Sequence, residues 1–278
     1  MEQFSLAGKT ALVTGASSGF GHHFAGLLAE NGARVVLGAR RLDKIQARVD
    51  ALTAAGHEVL GLPLDVRDPA SAQNFLSESV KAFGGIDILI NNAGVEAGAK
   101  TYTMIDDEDW DYVFDTNLKA AWRLSKYFTQ WVADNGTTGS IVNIASITAF
   151  RTIKGQFPYA VSKAALVKAT EIMALEGARY GVRVNALAPG YILTDVSRVL
   201  LESERSEQFV KGIPMRRYGE FADLDGPLLL LASDASRYMT GSVVVVEWGD
   251  VATDVLGDAL TVHLSHNDDA DDERDITI

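Results

Sequence analysis

The sequence predicts a single α/β domain: a doubly wound, mostly parallel seven-stranded sheet with helices on both faces. Three observations carry this. Apolar runs of strand length alternate with helix-length segments through most of the 278 residues. These runs are apolar throughout, as expected of strands covered on both faces. The first ends in a glycine-rich turn that opens directly into a helical pattern, the arrangement that places ligands at the carboxyl edge of an open sheet.

The elements follow in order. Residues 9–14 read as a buried strand running into Gly15-Ala16-Ser17-Ser18-Gly19-Phe20-Gly21, and a helical pattern through Phe24, Leu27 and Leu28 closes at Asn31-Gly32. Glycines admit a ligand close to the backbone, and a helix N-terminus offers free N–H groups, which together suit a pyrophosphate. The second strand, 34–39, ends at Ala39-Arg40-Arg41, where an adenosine ribose would lie. A neutral residue followed by two cations favours a 2′-phosphate over a bare 2′-hydroxyl, although Arg40 could instead stack on adenine.

A helix over 42–55 leads to a strand over 59–64, closed by Asp65-Val66. A helix over 69–83, with Pro69 at its first position, leads to a strand over 86–90 and the turn Asn91-Asn92-Ala93-Gly94. Residues 107–132 show one helical periodicity through Trp110, Val113, Phe114, Leu118 and Ala121, with Asn117 polar on an otherwise apolar face. A buried asparagine requires hydrogen-bond partners. Residues 141–145 form a short apolar strand that delivers Ser146 to the sheet edge. Tyr159 then opens a helix reaching 180, and Lys163 stands one turn on, so phenol and ammonium share a face. A cation beside a phenol favours phenolate, so the Tyr159 pKa is expected to fall from about 10 toward the working range of a general acid or base.

A sixth strand over 182–187 reaches Pro189-Gly190. Residues 191–217 break the rhythm and are expected to form a lid. A helix over 221–233 and a last strand over 242–247 complete a domain ending near residue 250. The extension 251–278 carries six acidic residues between 268 and 275, a composition for a solvated tail.

Composition narrows the function. The net charge of −12 argues against nucleic acid and anionic membrane as partners. The chain has no cysteine, which excludes thiolate chemistry and disulfides. The five histidines show no metal-ligand spacing, so no metal is expected. No apolar run approaches the roughly 20 residues of a membrane span, and the start lacks a signal-peptide profile, so a cytoplasmic location is expected.

Tyr-x-x-x-Lys alone is common on helix surfaces, but here the motifs occur together and in order, and the chain over about residues 5–250 resembles the classical short-chain dehydrogenases/reductases. The resemblance implies a Rossmann-type domain. It makes Gly15, Ser17, Ser18, Gly19, Phe20 and Gly21 the cofactor loop, Asp65 and Val66 the adenine contact, and Asn92, Ala93 and Gly94 the wall behind the adenosine ribose. Pro189, Gly190, Ile192 and Thr194 would hold the nicotinamide carboxamide. Asn117, Ser146, Tyr159 and Lys163 match the family's catalytic tetrad. With Arg40 and Arg41, the expected cofactor is NADP(H) in preference to NAD(H).

The implied reaction moves hydride between nicotinamide and a ketone or secondary alcohol. Tyr159 exchanges the proton, and Ser146 bonds the same oxygen. Lys163 binds the nicotinamide ribose and lowers the tyrosine pKa, while Asn117 holds a water linking the lysine to solvent. Phe150, Phe157, Tyr191, Leu193, Val196 and Val199 suggest a hydrophobic small molecule, while Arg151 and Lys154 leave anionic acyl-CoA open. Carrier-protein reductases dock their carrier on basic residues, yet residues 131–139 contain no Lys or Arg and Tyr180 precedes Gly181. A non-catalytic cofactor-binding protein is the remaining alternative, opposed by the complete tetrad. Family resemblance also implies a homotetramer or homodimer. Two departures stand out: Phe20, where a smaller aliphatic residue is usual, and Glu247-Trp248-Gly249 after the last strand.

Overall fold

The computed structural model describes residues 2–193, 210–247, 263–266 and 274–277. Seven strands, β1 (Thr10–Thr14), β2 (Arg34–Ala39), β3 (Val59–Pro63), β4 (Ile88–Asn91), β5 (Gly139–Ile144), β6 (Val182–Pro189) and β7 (Val243–Val246), form one sheet in the order β3-β2-β1-β4-β5-β6-β7. Every neighbouring pair is parallel. The order reverses between β1 and β4, so the crevice expected of a doubly wound sheet opens there.

The strands are apolar throughout because both faces are covered. Along β1, Ala11 and Val13 enter the core on one face while Leu12 enters the core on the other. In β2, Val35 and Leu37 oppose Val36 in the same way. The helices are α1 (Gly19–Glu30), α2 (Leu42–Ala54), α3 (Pro69–Phe83), α4 (Asp107–Phe114), α5 (Ala120–Asn135), α6 (Phe157–Gly177) and α7 (Asp225–Ala232). Phe24 of α1 and Leu228 and Leu231 of α7 fill the first core, and Phe75 of α3 and Phe128 of α5 fill the second, all fully buried. Truncating any of these phenylalanines to alanine should cost about 3–5 kcal/mol.

One helix expected over 107–132 is two helices joined by a π-helical turn, Asp115–Lys119. The wide turn rotates the register, and Asn117 becomes 1% exposed at the sheet edge. Within the segment read as an acidic tail, His263–His266 and Arg274–Thr277 pair antiparallel as β8 and β9. Most of the expected lid, residues 194–209, and Trp248 lie outside the described residues.

Candidate active site

Two adjoining cavities form one cleft across the carboxyl ends of β1 to β6. The first, about 390 Å³, is lined by the loop after β1, the Ala39-Arg40-Arg41 end of β2, Asp65 and Val66 after β3, and Asn92 to Val95 after β4. The second, about 600 Å³, shares Phe20, Asn92, Gly94 and Val95 with the first and continues to Ser146, Tyr159, Lys163, Gly190, Tyr191 and Ile192.

Sequence dictates the floor between them. Thr14 Oγ1 accepts hydrogen bonds from Asn92 N and Ala93 N, both at 3.0 Å, and Asn92 Nδ2 donates to Thr14 O at 2.8 Å. The turn after β4 is thereby locked to the end of β1. Gly15 has a positive φ of 67°, and a Cβ there would come within 2.9 Å of Ala93 Cα. A Cβ on Gly21 would lie 2.4 Å from Asn92 Nδ2, so both glycines are required by this packing. Above them, the Ser18 side chain makes no capping bond to the N–H groups of α1, and the first turn carries no acidic residue, leaving that helix end suited to an anion. Arg41 Nη2 donates to Ser17 Oγ and Ser18 Oγ, each at 2.9 Å, which ties the second cation to the glycine loop. Asp65 stays ionised below its ordinary range. Burial pushes its pKa up, but the Arg67 backbone N–H and the Arg67 and Arg40 charges outweigh that. These residues fit a nucleotide phosphate and ribose.

At the other end Ser146 and Lys163 are buried and Tyr159 is half-buried. Ser146, just past β5, caps a short turn by accepting from Thr148 N at 3.2 Å. Lys163 Nζ lies 5.6 Å from the Tyr159 ring centroid and donates to Ile144 O at 2.7 Å. Burial pushes the Tyr159 phenol up to about 12, although its hydrogen bond with Ser146 opposes this, and burial pushes Lys163 down to about 8. The expected fall of the phenol pKa is therefore reversed, because desolvation, which sequence spacing does not reveal, outweighs the hydrogen bond with Ser146. The Glu96 carboxylate raises both groups.

Asn117 donates to Val95 O and Ser162 Oγ, both at 3.0 Å, and accepts from Val95 N at 2.8 Å. Its side chain thus pins the loop that follows Gly94. Phe20 stacks on Phe24 at 5.9 Å and meets Phe221 edge-on at 5.6 Å. The larger ring is accommodated by this aromatic cluster, between the two cavities.

The structure brings together the predicted glycine loop, Arg40, Arg41, Asp65, Val66, Asn92, Ala93, Gly94, Asn117, Ser146, Tyr159, Lys163, Gly190 and Ile192. Pro189 ends β6 beside them, and Thr194 lies outside the described residues. The hydrophobic substrate residues fare differently. Tyr191 lines the catalytic cavity, whereas Phe150, Phe157 and Leu193 do not. Phe157 instead packs on Trp110 at 5.9 Å and Tyr102 at 6.2 Å, and Val196 and Val199 lie outside the described residues. The cavity's apolar walls are Ile144, Ile147, Ile153 and Ile192. Sequence reading missed Glu96, Thr148 and Gln156, which also line it. Their nearness to Gly94, Ser146 and Tyr159 in the chain was the available signal.

Comparison with known proteins places this architecture. A family model described as Enoyl-(Acyl carrier protein) reductase matches residues 15–250. The chain is 37% identical over 245 residues to the human dehydrogenase/reductase SDR family member 4, covering 88% of each chain. It is 35% identical to a 3-oxoacyl-acyl-carrier-protein reductase of Staphylococcus epidermidis, covering 87% of this chain and 98% of the relative. The crystal structure of a gluconate 5-dehydrogenase from Burkholderia cenocepacia, in complex with NADP and tartrate, superposes with a TM-score of 0.85 at 30% identity, covering 90% of this chain and 98% of that one. The chain belongs to the short-chain dehydrogenase/reductase family and is an oxidoreductase acting on CH–OH groups. Among the described residues no helix is long and apolar enough to cross a membrane, and no cluster of histidine and carboxylate side chains could hold a metal ion.

Proposed function

We propose that the protein is an NADP-dependent oxidoreductase that interconverts a small ketone and its secondary alcohol. The observation that carries this reading is the cleft itself, which joins a cationic end at Arg40 and Arg41 to a buried Ser146, Tyr159 and Lys163 end. A bound nicotinamide would supply or accept the hydride. Arg40, Arg41, Ser17 and Ser18 would hold the 2′-phosphate, the first turn of α1 the pyrophosphate, and Lys163 the nicotinamide ribose.

In the reducing direction, Tyr159 gives its proton to the oxygen as negative charge develops there, and Ser146 donates a hydrogen bond to the same oxygen. The Lys163 ammonium stabilises the phenolate left behind. Asn117 acts as a positioning residue by fixing Val95 and Ser162. The isoleucine walls favour a substrate with an apolar body. A carrier-protein thioester is the second reading, favoured by the family model and the bacterial relative, and opposed by the lack of Lys and Arg between residues 131 and 139.

Assembly through α5 and α6 is part of the proposal, since Trp122, Ile172 and Leu175 expose 48%, 50% and 81% of their surface there. Light scattering should give a dimer or tetramer at micromolar concentration. Incubation with NADPH and a panel of ketones, followed by loss of nicotinamide absorbance, tests the activity. Consumption with no member of the panel would remove the reading.

A further inference from the structure

Two of the residues that line the catalytic cavity each carry a buried polar atom that the proton relay does not use. Thr148 is only 9% exposed, and its Oγ1 is buried without a hydrogen-bond partner. Gln156 Oε1 is buried and unpartnered in the same way. Both residues line the cavity that holds Ser146, Tyr159 and Lys163. Thr148 stands two residues past Ser146, on the turn that Ser146 caps, and Gln156 stands three before Tyr159 at the head of α6. They belong to the two elements that deliver the proton-transfer groups.

Several polar groups near this site are satisfied, although the buried Asn91 Oδ1 also has no partner. Asn117 fills three hydrogen bonds, and Asn143 Nδ2 donates to Thr170 Oγ1 at 2.9 Å. A buried threonine hydroxyl and a buried amide carbonyl without partners are costly unless a ligand completes them.

We infer that Thr148 and Gln156 form a hydroxyl subsite beside the reacting carbon, so that the substrate is an α-hydroxyketone, or in the other direction a vicinal diol. The inference rests on the oxidoreductase reading above and narrows its substrate class. A hydroxyl is the group that suits both partners, because it donates to Gln156 Oε1 and can accept from Thr148 Oγ1. A carboxylate offers no donor to the amide oxygen, and Glu96 on the same cavity wall repels it. A plain ketone leaves both atoms unpaired. An apolar remainder lies against Ile144, Ile147, Ile153 and Ile192.

Matched pairs test this: acetoin against butan-2-one, and 2-hydroxyacetophenone against acetophenone, each reduced with NADPH. Wild type should favour the hydroxyketone of each pair about tenfold to a hundredfold in kcat/KM, the range set by leaving a buried polar group unpaired. Thr148→Val and Gln156→Leu should each remove most of that preference, chiefly through KM, and Thr148→Ser, which keeps the hydroxyl, should retain it. A purely structural role would lower both members of a pair equally. Equal kcat/KM within pairs in wild type, or a preference untouched by both substitutions, overturns the subsite while leaving the oxidoreductase reading in place. No NADPH consumption with any member of either series overturns both.

Discussion

The two ends of the cleft use cations in opposite ways. Arg40 and Arg41 are exposed at the end of β2, whereas Lys163 is 4% exposed beneath Tyr159. In water a guanidinium keeps its charge and acts by screened attraction, so the outer pair can select a phosphate but alters no neighbour's chemistry strongly. Inside, burial outweighs attraction: it takes Lys163 down to about 8 and the Tyr159 phenol up to about 12. The comparison separates recognition, which tolerates solvent, from proton transfer, which needs its exclusion.

The largest test of the inner end is Tyr159→Phe. Removing the hydroxyl takes away the proton donor and a partner of Ser146 but leaves the ring packed. We expect kcat to fall by about 10² to 10⁴, the span of general acid–base catalysis, with NADPH affinity measured by fluorescence titration nearly unchanged. More than about a tenth of wild-type kcat would contradict the assignment.

At the outer end the expected effect is smaller. Ala39→Asp/Arg40→Ile replaces a neutral residue and a cation with a carboxylate that repels a 2′-phosphate and accepts a 2′-hydroxyl. A charge-assisted bond at an exposed position is worth about tenfold to a hundredfold in affinity, so the NADPH-to-NADH ratio of kcat/KM should fall by that factor. Arg41 would persist on Ser17 and Ser18 and retain part of the preference. A wild type that prefers NADH, or an unchanged ratio in the double variant, would break the contrast between the ends.

The same contrast governs what could be read from the sequence. The parallel seven-stranded sheet and the cleft were legible because buried parallel strands are apolar runs and because the glycine loop, Asn92 and Tyr159 fall at strand ends and helix starts. The π turn at 115–119 was not, since it shifts the register inside a pattern that remains helical on both sides. Phe150 and Phe157 were read as substrate contacts from their place in the loop after Ser146, and the fold turns Phe157 onto Trp110. Direction of titration was misread at Tyr159 for a similar reason: spacing gives the neighbour, while burial is a property of the whole assembly of elements. Thr148 and Gln156 carry no motif: nearness to Ser146 and Tyr159 in the chain was their one sequence signal, and their buried, unpartnered atoms are seen only in the fold.

The smallest effect is also the sharpest probe of the inner end. Glu96 is exposed, yet it lines the catalytic cavity, and its carboxylate raises the pKa of both Tyr159 and Lys163. In carbonyl reduction the phenol must hold its proton and the ammonium its charge. With the phenol at about 12, the limiting group on the alkaline side is Lys163, so kcat/KM for reduction should be flat below pH 8 and fall as pH rises through about 8. Glu96→Gln removes a negative charge that favours the ammonium, so Lys163 loses its proton more readily and the alkaline fall moves to lower pH. The phenol is lowered as well, which assists alcohol oxidation, where phenolate is the base. Because Glu96 is open to solvent, the displacement should be less than about one pH unit, and it should shrink between 0.1 and about 1 M salt as the screening length drops from about 10 to 3 Å. A fall displaced to higher pH, or a displacement indifferent to salt, would mean that Glu96 acts on the site through packing and not through its charge.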